Sequence, residues 1–250
     1  MTILFDMKAR ALRRMRARRS GPELFLFERA FGDCLDRIAT FERSFERALL
    51  IGWADAAWSS RLGKVAKSVE IMADDVHEDA WQPPAGAYDL VVAVGTLDTV
   101  NELPLAFSLL RHAMQPGGLF IGTLSGGNTL PRLRAAMLAA DAVAGGAAPH
   151  VHPRIEPAAL APLLEQAGFE RVVVDVDRVA VSYRTLDHLV RDLRGMGASN
   201  ILGDRPRYVG RPGRNAATAA FAAAGDGERT VETFDLLHFA AWGGDVVKTR

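Results

Sequence analysis

Cysteine is almost missing from this chain of 250 residues. Cys34 is the only one, which excludes an internal disulfide and fits a reducing compartment. Its neighbours Phe31, Leu35 and Ile38 suggest a buried structural thiol on a helix. Long apolar runs are missing too. No stretch reaches the roughly 18–20 residues that cross a bilayer, and the start, MTILFDMKAR, has no apolar signal-peptide core. These absences lead to the expectation of a cytoplasmic chain with no membrane span. An excess of either charge is also absent, since 30 Lys and Arg balance 30 Asp and Glu. Overall charge therefore points neither to nucleic acid nor to an acidic partner. What is present is apolar material, 49 % of the residues, enough for the core of one large α/β domain or two small ones.

The chain is organised around residues 87–127, AYDLVVAVGTLDTVNELPLAFSLLRHAMQPGGLFIGTLSGG. Leu90 to Val94 is an apolar run and Gly95 to Asn101 a polar turn. Leu105, Leu109, Leu110 and Ala113 have helical spacing. Pro116-Gly117-Gly118 then turns into a second apolar run, Leu119 to Leu124. Strand, helix and strand in this order make a βαβ unit with parallel, buried strands. The pattern YDLVV, then LP and AF, then QPGGLF resembles the fourth and fifth strands of class I S-adenosylmethionine-dependent methyltransferases. That resemblance implies an α/β, Rossmann-like sheet, mostly parallel with an antiparallel C-terminal strand.

Around this centre the chain reads as follows. Residues 1–47 form an N-terminal helical cap and residues 48–250 the α/β domain. Residues 1–50 hold eleven basic and seven acidic side chains, seven of the basic ones between Lys8 and Arg19. This start is either a solvated capping helix, a basic arm for an acidic partner, or an Arg-rich targeting segment. Residues 22–47 read as a helix, and Arg47 to Gly52 as the first strand. Val69 to Met72 is the one clear strand candidate before Tyr88, so the sheet is short of part of one βα unit. Pro131 to Ala144 is a helix that Thr129 can cap. Pro157 to Ala167 is another, Arg171 to Tyr183 an alternating strand, and Leu186 to Leu193 a helix. Residues 203–215, rich in Gly, Pro and Arg, read as an open loop. Ala216 to Ala224 is a short helix and Thr230 to Ala241 the last strand. His150 and His152 could ligate a metal, but no third ligand lies near them in sequence.

The second half sharpens the likeness. GTLSGGNTLPRLRAAML, PLLEQAGF, VVVDVDRVAVSYRTLDHLVRDLRGMGASNIL and DGERTVETFDLLHFAAW are similar to the branch that contains the mitochondrial complex I assembly factor 5 proteins and their alphaproteobacterial relatives. A more distant similarity is to the malonyl-carrier-protein methyltransferase of biotin synthesis. The resemblance implies S-adenosylmethionine as cofactor and a small-molecule or protein acceptor, with a respiratory-complex subunit among the candidates. Two departures stand out. The glycine-rich first loop keeps only Gly52 and places Trp53 where a small residue is expected. The turn after the fourth strand usually carries a His-Trp pair and here reads Leu97-Asp98-Thr99-Val100-Asn101.

The resemblance places the cofactor at the carboxyl ends of the strands, lined by Gly52, Asp74, Asp75, Gly95, Thr96, Leu97 and Asp98. Asp74 and Asp75 equally read as part of a solvated acidic loop. Thr129, Tyr183, Arg194 and Asn200 are candidates for the acceptor side, and Arg194 suits a carboxylate or phosphate. Methyl transfer needs alignment and exclusion of water more than a dedicated triad. Three functions follow: a methyltransferase with a reduced pocket, a degenerate binding or assembly module, or a same-fold enzyme doing other chemistry such as arginine hydroxylation. The fate of Trp53 and Trp58 separates the first two.

Overall fold

The computed structural model describes residues 3–53, 56–72, 80–204 and 208–244. Asp74 and Asp75 lie outside them. The described chain forms eight helices, a 3-10 turn at Leu97–Thr99 and six strands. The strands are β1 (Phe45–Gly52), β2 (Ala66–Met72), β3 (Tyr88–Val94), β4 (Met114–Ser125), β5 (Phe169–Tyr183) and β6 (Thr230–Gly243). They form one sheet in the order β2-β1-β3-β4-β6-β5. The first four are parallel and β6 runs antiparallel to β4, from Leu119 opposite Trp242 to Ser125 opposite Leu236. Among the described residues no strand lies between β2 and β3.

Two compact units share the chain. One comprises residues 25–126, 155–177 and 236–250. Its β3 is buried along all seven residues, as expected of a central strand covered on both faces. One face packs Leu49, Val91, Phe107, Phe120 and Phe239 together, with the Phe120 and Phe239 ring centroids 4.7 Å apart. Here α4 (Leu103–Ala113) and α6 (Pro157–Gln166) supply the cover. On the other side lies α2 (Phe25–Ala39), which buries Leu26, Ala30, Phe31, Cys34 and Ile38. Burial pushes the Cys34 thiol up to about 12, so it stays a protonated core residue.

The other unit comprises residues 1–24, 127–154 and 178–235. The basic N-terminus folds as α1 (Met7–Ser20), capped by Asp6. It is less solvated than a bare charged helix, because Arg10 and Arg14 are buried and Arg14 packs on Gly197. The helix at Pro131–Ala144, α5, has its sequence-expected bounds. Its cap differs: Leu130 holds that position in a left-handed conformation, φ 62°. The Thr129 hydroxyl instead donates to the Asp235 carbonyl and accepts from the Asp235 amide. Glu232, fully buried, takes up the amides of Arg132 and Leu133. The expected open loop closes early. A helix, α8, runs Gly210–Ala223, its Pro212 in the first turn where a missing amide costs nothing. Gly213 then sits against Ala140 of α5, where a Cβ would come within 3.2 Å of the Ala140 carbonyl. Small residues are what permit that close helix pair. Helix α7 covers Leu186–Gly195, capped by Thr185. No described helix is long and apolar enough to cross a membrane.

Candidate functional site

Between β1 and β3 the direction of chain progression across the sheet reverses, because β1 is flanked by β2 on one side and β3 on the other. In open α/β sheets this is where a crevice forms at the carboxyl ends of the strands. Both strands end there on glycines in conformations that L side chains rarely adopt: Gly52 at φ 104° and Gly95 at φ 66°. Gly52 lies opposite Val94. A Cβ on Gly52 would sit 2.3 Å from the Val94 carbonyl oxygen and 2.9 Å from the Thr96 Cβ. Only glycine permits that crossing. The next amide, of Trp53, donates to the same Val94 carbonyl at 3.1 Å, which fixes the turn out of β1.

Five of the expected cofactor residues thus meet at one edge. Gly52, Thr96 and Leu97 are buried, while Gly95 and Asp98 are partly exposed. Asp98 is the middle residue of the 3-10 turn and brings a carboxylate to that edge. A residue that the sequence did not single out completes the edge. The Phe27 ring, from the first turns of α2, lies where a Gly95 Cβ would be, 2.9 Å from its ideal position. Its centroid is 6.2 Å from that of Trp53. The available signal was an aromatic residue set off the apolar stripe of α2, partly exposed while Leu26 and Ala30 are buried.

The second tryptophan is placed differently. Trp58, in α3 (Ala56–Leu62), is wholly buried and stacked on Phe31. Its indole N–H donates to Glu28. It joins α3 to α2.

The four expected acceptor residues fall in the other unit. Thr129 is committed to Asp235, as above. Tyr183 is buried, and burial together with the Asp192 charge pushes its phenol well up. Arg194 is exposed on the last turn of α7 and makes no ion pair among the described residues. Asn200 is a brace: its amide donates to the Pro149 carbonyl and its oxygen accepts from Leu202. His150 Nε2 lies 2.8 Å from Asp141, and His152 Nε2 accepts from the Ile201 amide. Both imidazoles therefore have protein partners.

The methyltransferase domain family matches residues 19–174, more than half of the chain. The chain belongs to that family. Within the methyltransferase family its likeness is to the mitochondrial arginine-hydroxylase NDUFAF5. The Danio rerio protein is 31 % identical over 240 residues, covering 87 % of this chain and 75 % of the relative. The Rattus norvegicus protein is 34 % identical over 178 residues, covering 70 % and 51 %. The chain thus belongs to the NDUFAF5 branch, and it spans about half the length of the rat relative. Among solved structures, the YcgJ protein of Bacillus subtilis aligns with a TM-score of 0.54 at 8 % identity, covering 86 % of this chain and 99 % of YcgJ. At that identity the likeness is one of fold.

The cofactor that membership of this methyltransferase family brings is S-adenosylmethionine, and the described residues suit its methionine end. That end carries a sulfonium and an ammonium, for which a partly exposed carboxylate and aromatic faces are favourable neighbours. Asp98 is a partly exposed carboxylate at that edge, and Phe27 a partly exposed ring beside Gly95.

Proposed function

We propose that this chain is an S-adenosylmethionine-dependent enzyme that modifies a small-molecule or protein acceptor. The observation that carries the reading is the pair of left-handed glycines, Gly52 and Gly95, ending adjacent strands at the switch point of the sheet. The chemistry that S-adenosylmethionine supplies when bound is an activated methyl group. The residues of the chain hold and orient: Gly52 keeps the β1 turn tight against Val94, Asp98 balances positive charge, and Phe27 and Trp53 keep water from the methionine end. A respiratory-complex subunit is a candidate protein acceptor.

A second reading is a binding or assembly module that keeps the fold without turnover. In its favour, Trp53 and Trp58 are both core residues, at 3 % and 0 % exposure. The turn Leu97-Asp98-Thr99-Val100-Asn101 also lacks a histidine that could serve as a base.

Titration calorimetry with S-adenosylmethionine and S-adenosylhomocysteine separates the two. The enzyme reading expects one saturable site for each ligand, weakened about tenfold or more by Asp98→Asn. Absent heat at millimolar ligand leaves the assembly reading.

A further inference from the structure

The burial of α1 is inverted. A helix that only packs on its own domain turns apolar side chains inward and charges outward. In α1 (Met7–Ser20) the buried residues are Arg10, Arg14 and Ala17, while Leu12 and Met15 are 40 % and 46 % exposed. Those two stand three positions apart and so are neighbours on one helix face. At helical spacing Lys8, Arg16 and Arg19 fall on that face too, and all three are exposed. The outward face is an apolar pair set among three cations, opposite the buried Arg10, Arg14 and Ala17.

Nothing on the helix offsets that charge. Met7–Ser20 contains no Asp or Glu, and Asp6 is engaged at the cap, where it accepts from the Ala9 amide. Lys8, Arg16 and Arg19 make no ion pair among the described residues. Elsewhere exposed arginines have acids to hand, as Arg29 has Asp177 and Arg214 has Asp187. The unit that carries α1 holds nineteen Lys and Arg against ten Asp and Glu. Its surplus of positive charge draws an anionic surface toward it.

We propose that the outward face of α1 binds the surface of an anionic lipid bilayer, with Leu12 and Met15 entering among the headgroups and Lys8, Arg16 and Arg19 pairing with their phosphates. A single convex helix face suits a soft, flat surface that takes up individual apolar side chains. The apolar pair at its centre favours lipid over nucleic acid, whose phosphates engage the cations alone. Each basic side chain near an anionic leaflet adds a salt-sensitive attraction. The helix lies along the surface and does not cross it, since no described helix is long and apolar enough to do so. The inference stands whether or not the edge at Gly52 binds its cofactor, because it uses none of those residues.

The test is cosedimentation of the whole chain with phosphatidylcholine vesicles, pure or with about a third phosphatidylglycerol. The expected result is binding at least about tenfold stronger to the anionic vesicles, weakening as salt rises. Lys8→Gln and Arg16→Gln should each weaken it about fivefold. Leu12→Gln combined with Met15→Gln should weaken it by about fivefold or more. These side chains are exposed, so the variants should unfold at the wild-type temperature. A polarity-sensitive dye on Leu12→Cys gives a second readout, because Cys34 is buried. Its emission should shift to the blue on adding anionic vesicles. No binding to those vesicles, equal binding to both kinds, an unshifted dye, or binding unmoved by the Leu12 and Met15 changes would each overturn the proposal. Binding to heparin or polyglutamate as tight as to the vesicles would overturn it too, by marking a site for polyanions in general.

Discussion

Trp58 lies flat on Phe31, the ring centroids 4.5 Å apart and the planes within 3° of parallel. Glu28, one turn before Phe31 on the same helix, accepts from the indole through one oxygen and from Arg61 through the other. The stack pins α3 to α2, just after the loop that leaves β1. Trp58→Ala should therefore cost about 3–5 kcal/mol, the range for truncating a large buried aromatic. Trp58→Phe, which keeps the ring face and leaves Glu28 with Arg61 as donor, should cost less. Urea unfolding of the two variants measures both.

Among the described glycines with positive φ, Gly52 and Gly117 mark the two ends of the tolerance for a Cβ. Both have positive φ, 104° and 69°. Nothing lies within 4 Å of a Cβ on Gly117, whereas one on Gly52 would meet the Val94 carbonyl oxygen at 2.3 Å. Gly117→Ala should lose about 1 kcal/mol from backbone conformation alone. Gly52→Ala adds a clash with backbone and should lose at least about 2–3 kcal/mol. Thermal unfolding of the pair should show the larger shift at Gly52.

His238 sets an acid limit. Its Nδ1 lies 2.9 Å from Asp33 and 3.1 Å from the Thr123 hydroxyl. Burial lowers its pKa from the ordinary 6.5 despite the opposing Asp33 charge. The folded chain therefore resists the proton that the unfolded chain accepts. Stability from this residue is present above about pH 6.5 and declines as the pH falls below it. His238→Asn should flatten the stability profile between about pH 6.5 and pH 5. An unchanged slope would remove His238 as its source.

Glu232 replaces a helix cap. Its carboxylate accepts from the amides of Arg132, Leu133 and Thr233, and the negative charge faces the positive end of α5. Glu232→Ala should cost about 2–4 kcal/mol by orphaning buried amides. Glu232→Gln, which keeps an acceptor but loses the charge, should cost about half as much or less. Hydrogen exchange at the first turn of α5 reports the difference.

The parts of this fold that were legible in the sequence are those where one local rule ruled. Leu90 to Val94 reads as a buried strand because both faces are covered, and Pro131 and Gly145 bracket α5 through their backbone preferences. Where a distant partner decides, the reading slipped. The segment at Gly210 to Arg214 looks like loop by composition, yet Gly213 is the close-approach residue against Ala140. Thr129 has the right side chain and position for a cap, but Asp235, 106 residues away, claims its hydroxyl. At the candidate site, Gly52, Gly95 and Asp98 were readable from the strand ends. Phe27 was not, because its role comes from the docking of α2 on Gly95.

The central claim is that the edge formed by Gly52, Gly95 and Asp98 receives S-adenosylmethionine. Isothermal titration of the full chain with that ligand tests it most directly. The account predicts one saturable site per chain, with affinity reduced about tenfold or more in Asp98→Asn while the variant unfolds at the wild-type temperature. Absence of binding at millimolar ligand, or affinity unmoved by the substitution, would contradict it.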